Sequence, residues 1–203
     1  MYRNKRRKRN AGLTLIELVI AITIMTILVG ITAPVYVKYV DKSKKSKDIY
    51  TADQIARAVN IAFVENPEAY EKFCSWTGLS ANVKAVSDGN VDNYKVFLIA
   101  ANEAPEYCFK GGESNFGDKK GNTGFYGVIN RELGLETSGV NVEMIPKHRV
   151  NGVSPKNTEK YADRWRICKR SDNGQLEIWV AQPDPWGGYP AYRLWPIPDD
   201  EYK

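Results

Sequence analysis

Histidine occurs once in these 203 residues, at position 148, and cysteine three times. A lone histidine excludes metal centres built on histidine pairs. Lys147 and Arg149 flank it and offer no orienting acid in sequence, so no nucleophile–base set is selected and no enzymatic activity is expected. There is no C-x-x-C. Gly112 to Gly117 has the spacing of a phosphate-binding loop, but Asp118 follows where lysine is required. Acid is absent from residues 1–12. From Leu18 to Val37 there is no Asp, Glu, Lys, Arg or His.

The charge that is present is unevenly placed. Residues 1–12, MYRNKRRKRNAG, hold six Lys and Arg, and the rest of the chain holds 23 Lys and Arg against 24 Asp and Glu. The overall net charge of +5 therefore belongs to a basic leader. A nucleic-acid-binding body needs a basic face, and the remainder is balanced, so nucleic acid is not favoured as a partner.

Leu13 to Val37 is a 25-residue run with Glu17 near its start. About 20 apolar residues span a hydrocarbon core. The preceding basic cluster sets the N-terminus in the cytoplasm, with residues 38–203 outside it. A cleavable secretory signal has a shorter apolar region. Its best cleavage site here, after Ala33, puts Pro34 directly beyond the cut. A plain signal anchor explains the length but leaves Glu17 an accident, and a carboxylate in a membrane helix costs on the order of 3 kcal/mol, less near the end. Cleavage between Gly12 and Leu13 removes the difficulty. It creates an α-ammonium four residues before Glu17, and between parallel helices offset along their axes the ammonium of one meets the carboxylate of the next.

Gly12-Leu13-Thr14-Leu15-Ile16-Glu17-Leu18 resembles the class III signal of type IV prepilins and pseudopilins, which has a basic leader, a Gly before the cut and a Glu at the fifth mature position. Leu13 stands where Phe or Met is commoner. Pro34 falls at the twenty-second mature position, where many pilins also have proline. The resemblance covers residues 1 to about 65. It implies a membrane precursor cleaved by a prepilin peptidase after Gly12 and N-methylated on Leu13. It also implies an assembly platform with its ATPase, and self-assembly into an extracellular fibre through Glu17.

Pro34, one turn after Gly30, should kink or loosen the helix. The lysine-rich KYVDKSKKSKD (38–48) marks the exit from the membrane and reads as a solvated helical turn. The apolar spacing then resumes at Ile49, Ala52, Ile55, Ala56, Val59, Ala62 and Phe63, one face of an amphipathic helix that Asn66-Pro67 should stop. The expected divisions are a leader at 1–12, a transmembrane and assembly half of a long helix at 13–37, its amphipathic half at 38–66, and a head at 67–203. In the head, PEAYEKFCSW (67–76) suggests a short helix and YKVFLIAA (94–101) a buried strand. WRICKR and QLEIWVA around SDNG (171–174) suggest a hairpin. Residues 182–203, with five of the ten prolines, read as an irregular lid. The expected class is α+β, a long N-terminal helix packed on a small antiparallel sheet, which is also the pilin fold.

Three cysteines outside the cytoplasm leave alternatives open. Cys74, Cys108 and Cys168 form one disulfide and a free thiol, or stay reduced, or ligate zinc with a fourth ligand such as His148. No other cofactor is expected, and His148 alone reads as a surface residue. Four of the five tryptophans lie in 165–195, read as core and proline packing or as an exposed glycan- or receptor-binding surface. Three functions compete. They are a type IV pilus subunit for adhesion or motility, a pseudopilin of type II secretion, and a DNA-uptake pilin. Calcium held by acids such as Asp199, Asp200 and Glu201 would favour the second, with a solvated acidic tail as the plain alternative.

Overall fold

The computed structural model describes residues 14–102, 108–110, 116, 123–135, 144–148, 162–181 and 190–203. The chain divides into two compact units, Met1–Lys42 and Ser43–Lys203. Helix α1 (Leu15–Glu65) begins in the first and ends in the second, and Pro34 lies inside it. Proline has no N–H to give the Gly30 carbonyl, one turn earlier, so the ladder lacks one bond there while the helical assignment continues. In the first unit, the described residues through Tyr39 are all exposed.

The second unit is an α+β body. α2 (Pro67–Ser75) starts on Pro67, whose missing N–H costs nothing in a first turn. Six strands follow: β1 (Ser80–Ser87), β2 (Asn90–Asn102), β3 (Phe109–Lys110), β4 (Arg164–Arg170), β5 (Leu176–Ala181) and β6 (Pro190–Trp195), with α3 (Gly124–Glu132) between β3 and β4. The order is β1-β2-β4-β5-β6, with β3 beside β2 and every pairing antiparallel. β1 and β2 are joined by Asp88-Gly89, whose φ values of 53° and 77° are the positive pair a type I′ hairpin turn requires.

Strand alternation splits the core between the two faces of the sheet. Ile167, Ile178 and Val180 meet Ala52, Ile55, Ala56, Val59 and Ala62 of α1. Cys168 and Trp179, one residue out of phase, face a second cluster with Ala81, Val83, Ala85 and Val96. β6 also comes up against β1, so the sheet curls around this second cluster. Glu177 is fully buried inside the curl. It accepts from Tyr94 Oη at 2.9 Å and Trp179 Nε1 at 2.9 Å, and it lies 3.4 Å from Arg193 Nη1. Arg193 Nη2 donates to Ser87 Oγ at 3.0 Å, a side-chain link between β6 and β1.

Burial pushes the Glu177 carboxyl above its ordinary value of 4.5, against the pull of Tyr94, Trp179 and the two arginines, Arg193 and Arg170. A carboxyl that binds its proton more tightly folded than unfolded favours folding at low pH. That contribution is complete below 4.5 and is lost as pH rises through the higher folded value. In urea melts, the stability of wild type relative to Glu177→Gln is therefore expected to fall as pH rises from below 4.5 toward neutrality. A difference that grows with pH contradicts this assignment.

The C-terminal residues do not form an irregular lid throughout. Pro190–Trp195 is a strand, with its proline at the first position, where a missing N–H is tolerated. A 3₁₀ turn (Asp200–Tyr202) ends the chain. Asp199 is buried and accepts from Val86 N at 2.6 Å and Arg193 N at 2.7 Å. Asp200 accepts from Asp88 N at 3.0 Å and Gly89 N at 3.2 Å. The tail thus clasps the β1–β2 turn and β6.

The candidate assembly segment and its surroundings

Thr14 and Glu17 open α1 as a reciprocal capping box. Glu17 Oε2 accepts from the Thr14 backbone N–H at 2.8 Å and from Thr14 Oγ1 at 2.8 Å, while Thr14 Oγ1 accepts from Glu17 N at 3.3 Å. The sequence T-L-I-E has the threonine and acid three apart that this geometry needs. Sequence reasoning singled out Glu17 for a partner on another chain and missed this one on its own chain. The carboxylate is exposed and also lies at the positive end of the helix dipole. Gly12 and Leu13, the expected cleavage and methylation positions, lie outside the described residues.

Beyond the cap the helix is apolar and unburied. Leu15, Met25 and Ile31 are 80%, 64% and 66% exposed. The threonines spend their hydroxyls on the backbone one turn back: Thr23 on Val19 O, Thr26 on Ile22 O and Thr32 on Leu28 O, at 2.7–2.9 Å. They can therefore sit among apolar neighbours at little cost. A side chain at Gly30 would meet open space, so Gly30 is not required by packing within one chain.

Within the second unit, the acid next to the lysine run departs from the solvated reading of 38–48. Asp48 is buried, and its two oxygens accept from the backbone N–H groups of Lys147, at 2.7 Å, and His148, at 2.8 Å. Extending the apolar stripe of Ala52, Ile55 and Val59 back by one turn reaches Asp48, a signal that was present in the sequence. His148 is likewise buried, not on the surface. Its ring meets Tyr202 edge-on at 5.3 Å, and Nε2 lies 3.6 Å from Glu201.

The proposed ligand set of Cys74, Cys108, Cys168 and His148 is not brought together. None of the three cysteines is in a disulfide. Cys74 is exposed on α2, Cys108 lies in the core beneath α1, and Cys168 lies in the cluster on the other face of the sheet. Among the described residues no group of three or more His, Cys, Asp or Glu is placed to hold a metal. These residues fit neither a zinc centre nor a disulfide, because strand alternation directs Cys168 away from Cys108. Burial also pushes the Cys168 thiol well up, which keeps it protonated and unreactive. The folded protein is expected to take one equivalent of a thiol reagent, at Cys74, and three after unfolding. Fewer than three sites in the reductant-free unfolded chain would establish a disulfide instead.

The C-terminal acids are engaged as well. Asp199 is buried on backbone N–H groups, Asp200 holds two more at the surface and Glu201 is exposed beside Lys45, and among the described residues no group of three such acids is placed to hold calcium. Trp165 and Trp179 are fully buried, and Trp76 and Trp195 pack partly against the core. Those four support the core reading, and Trp186 lies outside the described residues.

Residues 7–33 match the family model of the prokaryotic N-terminal methylation motif. The chain is similar to type IV major fimbrial proteins FimA of Dichelobacter nodosus. One is 37% identical over 67 residues, covering 33% of this chain and 43% of that protein. Another is 32% identical over 82 residues, covering 40% and 51%. The chain thus spans about half the length of the curated relatives it matches. No solved structure matches it. The chain thus carries a prokaryotic N-terminal methylation motif over residues 7–33, is similar over its N-terminal third or more to type IV fimbrial proteins, and has a long apolar helix followed by an antiparallel sheet.

Proposed function

We propose that the chain is a structural subunit of a type IV pilus, made as a single-pass membrane prepilin with its head outside the cytoplasm. A prepilin peptidase cuts it after Gly12 and methylates Leu13. Subunits then leave the membrane through an assembly platform and its ATPase, and their apolar helices pack at the centre of a surface fibre for adhesion or motility. The observation that carries this reading is the first half of α1, a long apolar stretch wholly unburied within the chain, with one carboxylate at its start. A lipid core or a bundle of identical neighbours satisfies the apolar surface. Only the second supplies Glu17 with a counter-charge, the Leu13 ammonium of an adjacent subunit. Before assembly the Thr14 N–H and hydroxyl hold the carboxylate in place. Assembly then adds an ion pair between chains to the hydrogen bonds that already hold the carboxylate within its own chain. The subunit has no reaction of its own, and Gly12 and Leu13 are substrate for another enzyme.

The pilus reading is preferred to a pseudopilin of type II secretion because the C-terminal acids expected to favour the latter through calcium are occupied by backbone N–H groups. It is preferred to a DNA-uptake pilin because the charge beyond the leader is balanced. N-terminal mass spectrometry of fibres sheared from cells is the test. The expected terminus is N-methylated Leu13, and a mature chain starting at Met1 or Pro34 overturns the proposal.

A further inference from the structure

The cap at Glu17 accounts for one end of the apolar half of α1. Its other end has a chemistry of its own. Tyr36 and Tyr39 are 69% and 76% exposed, and Lys38 and Lys42 beside them are exposed too. None of these four is needed by the core of the head, which begins further along the helix. At 1.5 Å per residue, Leu13–Val37 extends about 36 Å, somewhat more than a hydrocarbon core of about 30 Å. Tyr36 to Lys42 then falls in the headgroup layer. Tyrosine rings with a wet hydroxyl, and lysines whose stems lie along apolar surface while the ammonium reaches outward, are the side chains that anchor there.

The charge in this layer is positive. Asp41 is its one acid and is half-buried. In the sequence beyond, Lys44 and Lys47 are exposed, while the next acid, Asp48, is turned inward onto the backbone of Lys147 and His148. A zwitterionic headgroup gives such a segment no net attraction. An anionic one attracts each nearby lysine by about fivefold. The basic leader lies at the opposite end of the apolar run, so it cannot serve the same leaflet.

We propose that Tyr36, Lys38, Tyr39 and Lys42 form a collar that binds anionic phospholipid headgroups in the leaflet facing the head. This rests on the membrane-inserted precursor described above. The lysine phosphates are then ion pairs of the stored subunit, given up when it moves into a fibre. The collar thereby selects where in the membrane the precursor accumulates.

The test uses the full chain. Membranes from producing cells are first washed with alkaline carbonate. The retained protein is then reconstituted into nanodiscs from an equimolar mixture of phosphatidylglycerol and phosphatidylcholine. Headgroup composition is read by mass spectrometry against empty discs. Wild-type discs should be enriched in phosphatidylglycerol by about twofold or more, and Lys38→Gln/Lys42→Gln should lose most of that excess. The leader is common to both chains and drops out of the difference. Both positions are exposed, so the substitutions leave the fold intact, and unchanged circular dichroism will show it. Equal enrichment in the two proteins overturns the collar. Equal enrichment with a lower fibre yield from the variant overturns it in favour of a surface that docks a second copy of this chain. Loss of the wild-type protein in the carbonate wash overturns the collar and the membrane reading together.

Discussion

Glu17→Gln chains are expected to insert and be cut like wild type and to yield few fibres. The proposed cut, at Gly12-Leu13, is away from the substitution, and the amide nearly keeps the shape of the carboxylate, so processing has little reason to fail. The amide also keeps the cap, since a glutamine oxygen at the third helical position can accept from Thr14 as the glutamate does. What it removes is charge. Each incoming Leu13 ammonium is then buried among apolar helices without a counter-ion. Removing one partner of a buried pair typically costs about 3–5 kcal/mol, which weakens each subunit addition by two orders of magnitude or more. Glu17→Ala removes the cap too and should cost about another 1 kcal/mol at the helix start. Quantifying sheared fibres from the two variants separates charge from capping. Wild-type fibre yield from normally cleaved Glu17→Gln chains refutes the ion-pair account, and equal yields from the two variants assign nothing to the cap.

Where periodicity and turn chemistry agreed, the sequence was readable. The apolar stripe from Ala52 to Phe63 is buried against the sheet, and α1 ends at Glu65, ahead of Asn66-Pro67. The hairpin around SDNG is β4 and β5, whose apolar runs are buried on both faces. β1 escaped notice because its inward residues are Ala81, Val83 and Ala85, too small to register as a hydrophobic run. Yet Asp88-Gly89 beside it is a strong hairpin signal that was overlooked. β6 was hidden by prolines on either side of it. At the site, Glu17 was conspicuous because a carboxylate in an apolar run is costly. Glu177 and Asp199 were not, because their burial depends on partners such as Tyr94 and Val86 that are distant in sequence, and Asp48 was passed over although the apolar stripe runs back to it. The same distance dependence defeated the cysteines, whose separation across a sheet is invisible in their spacing.

The second large effect is expected at Asp199. Asp199→Ala leaves the N–H groups of Val86 and Arg193 without their acceptor in a buried place. At roughly 1–3 kcal/mol for each unsatisfied donor, the loss should be about 2–6 kcal/mol. For a chain of this size that lowers the melting temperature by about 4–24 °C. Asp199→Asn keeps one acceptor oxygen and should lose about half as much. Asp200→Ala, which loses two bonds to an exposed turn, should shift the midpoint less than either Asp199 variant. Thermal melts followed by circular dichroism rank the three variants. Equal midpoints for Asp199→Ala and Asp200→Ala show that the clasp is ornamental and that β1 and β6 hold each other without it.

That clasp bears on how such a protein avoids joining itself in the wrong way. An open sheet has two outer strands, and on the proposed pilus reading a chain that polymerises at high local concentration would present both to its neighbours as templates for strand addition. Among the described residues the end strands of the main path are β1 and β6, and residues 198–203 occupy polar groups on each. Asp199 takes N–H groups from both Val86 and Arg193, its own N–H goes to Arg193 O at 2.9 Å, and Pro198 O accepts from Ser87 Oγ at 3.3 Å. The tail from Pro198 to Lys203 thus blunts both edges at once. Copies of the head are left with little backbone to exchange, and the way to grow into a fibre runs through the helix.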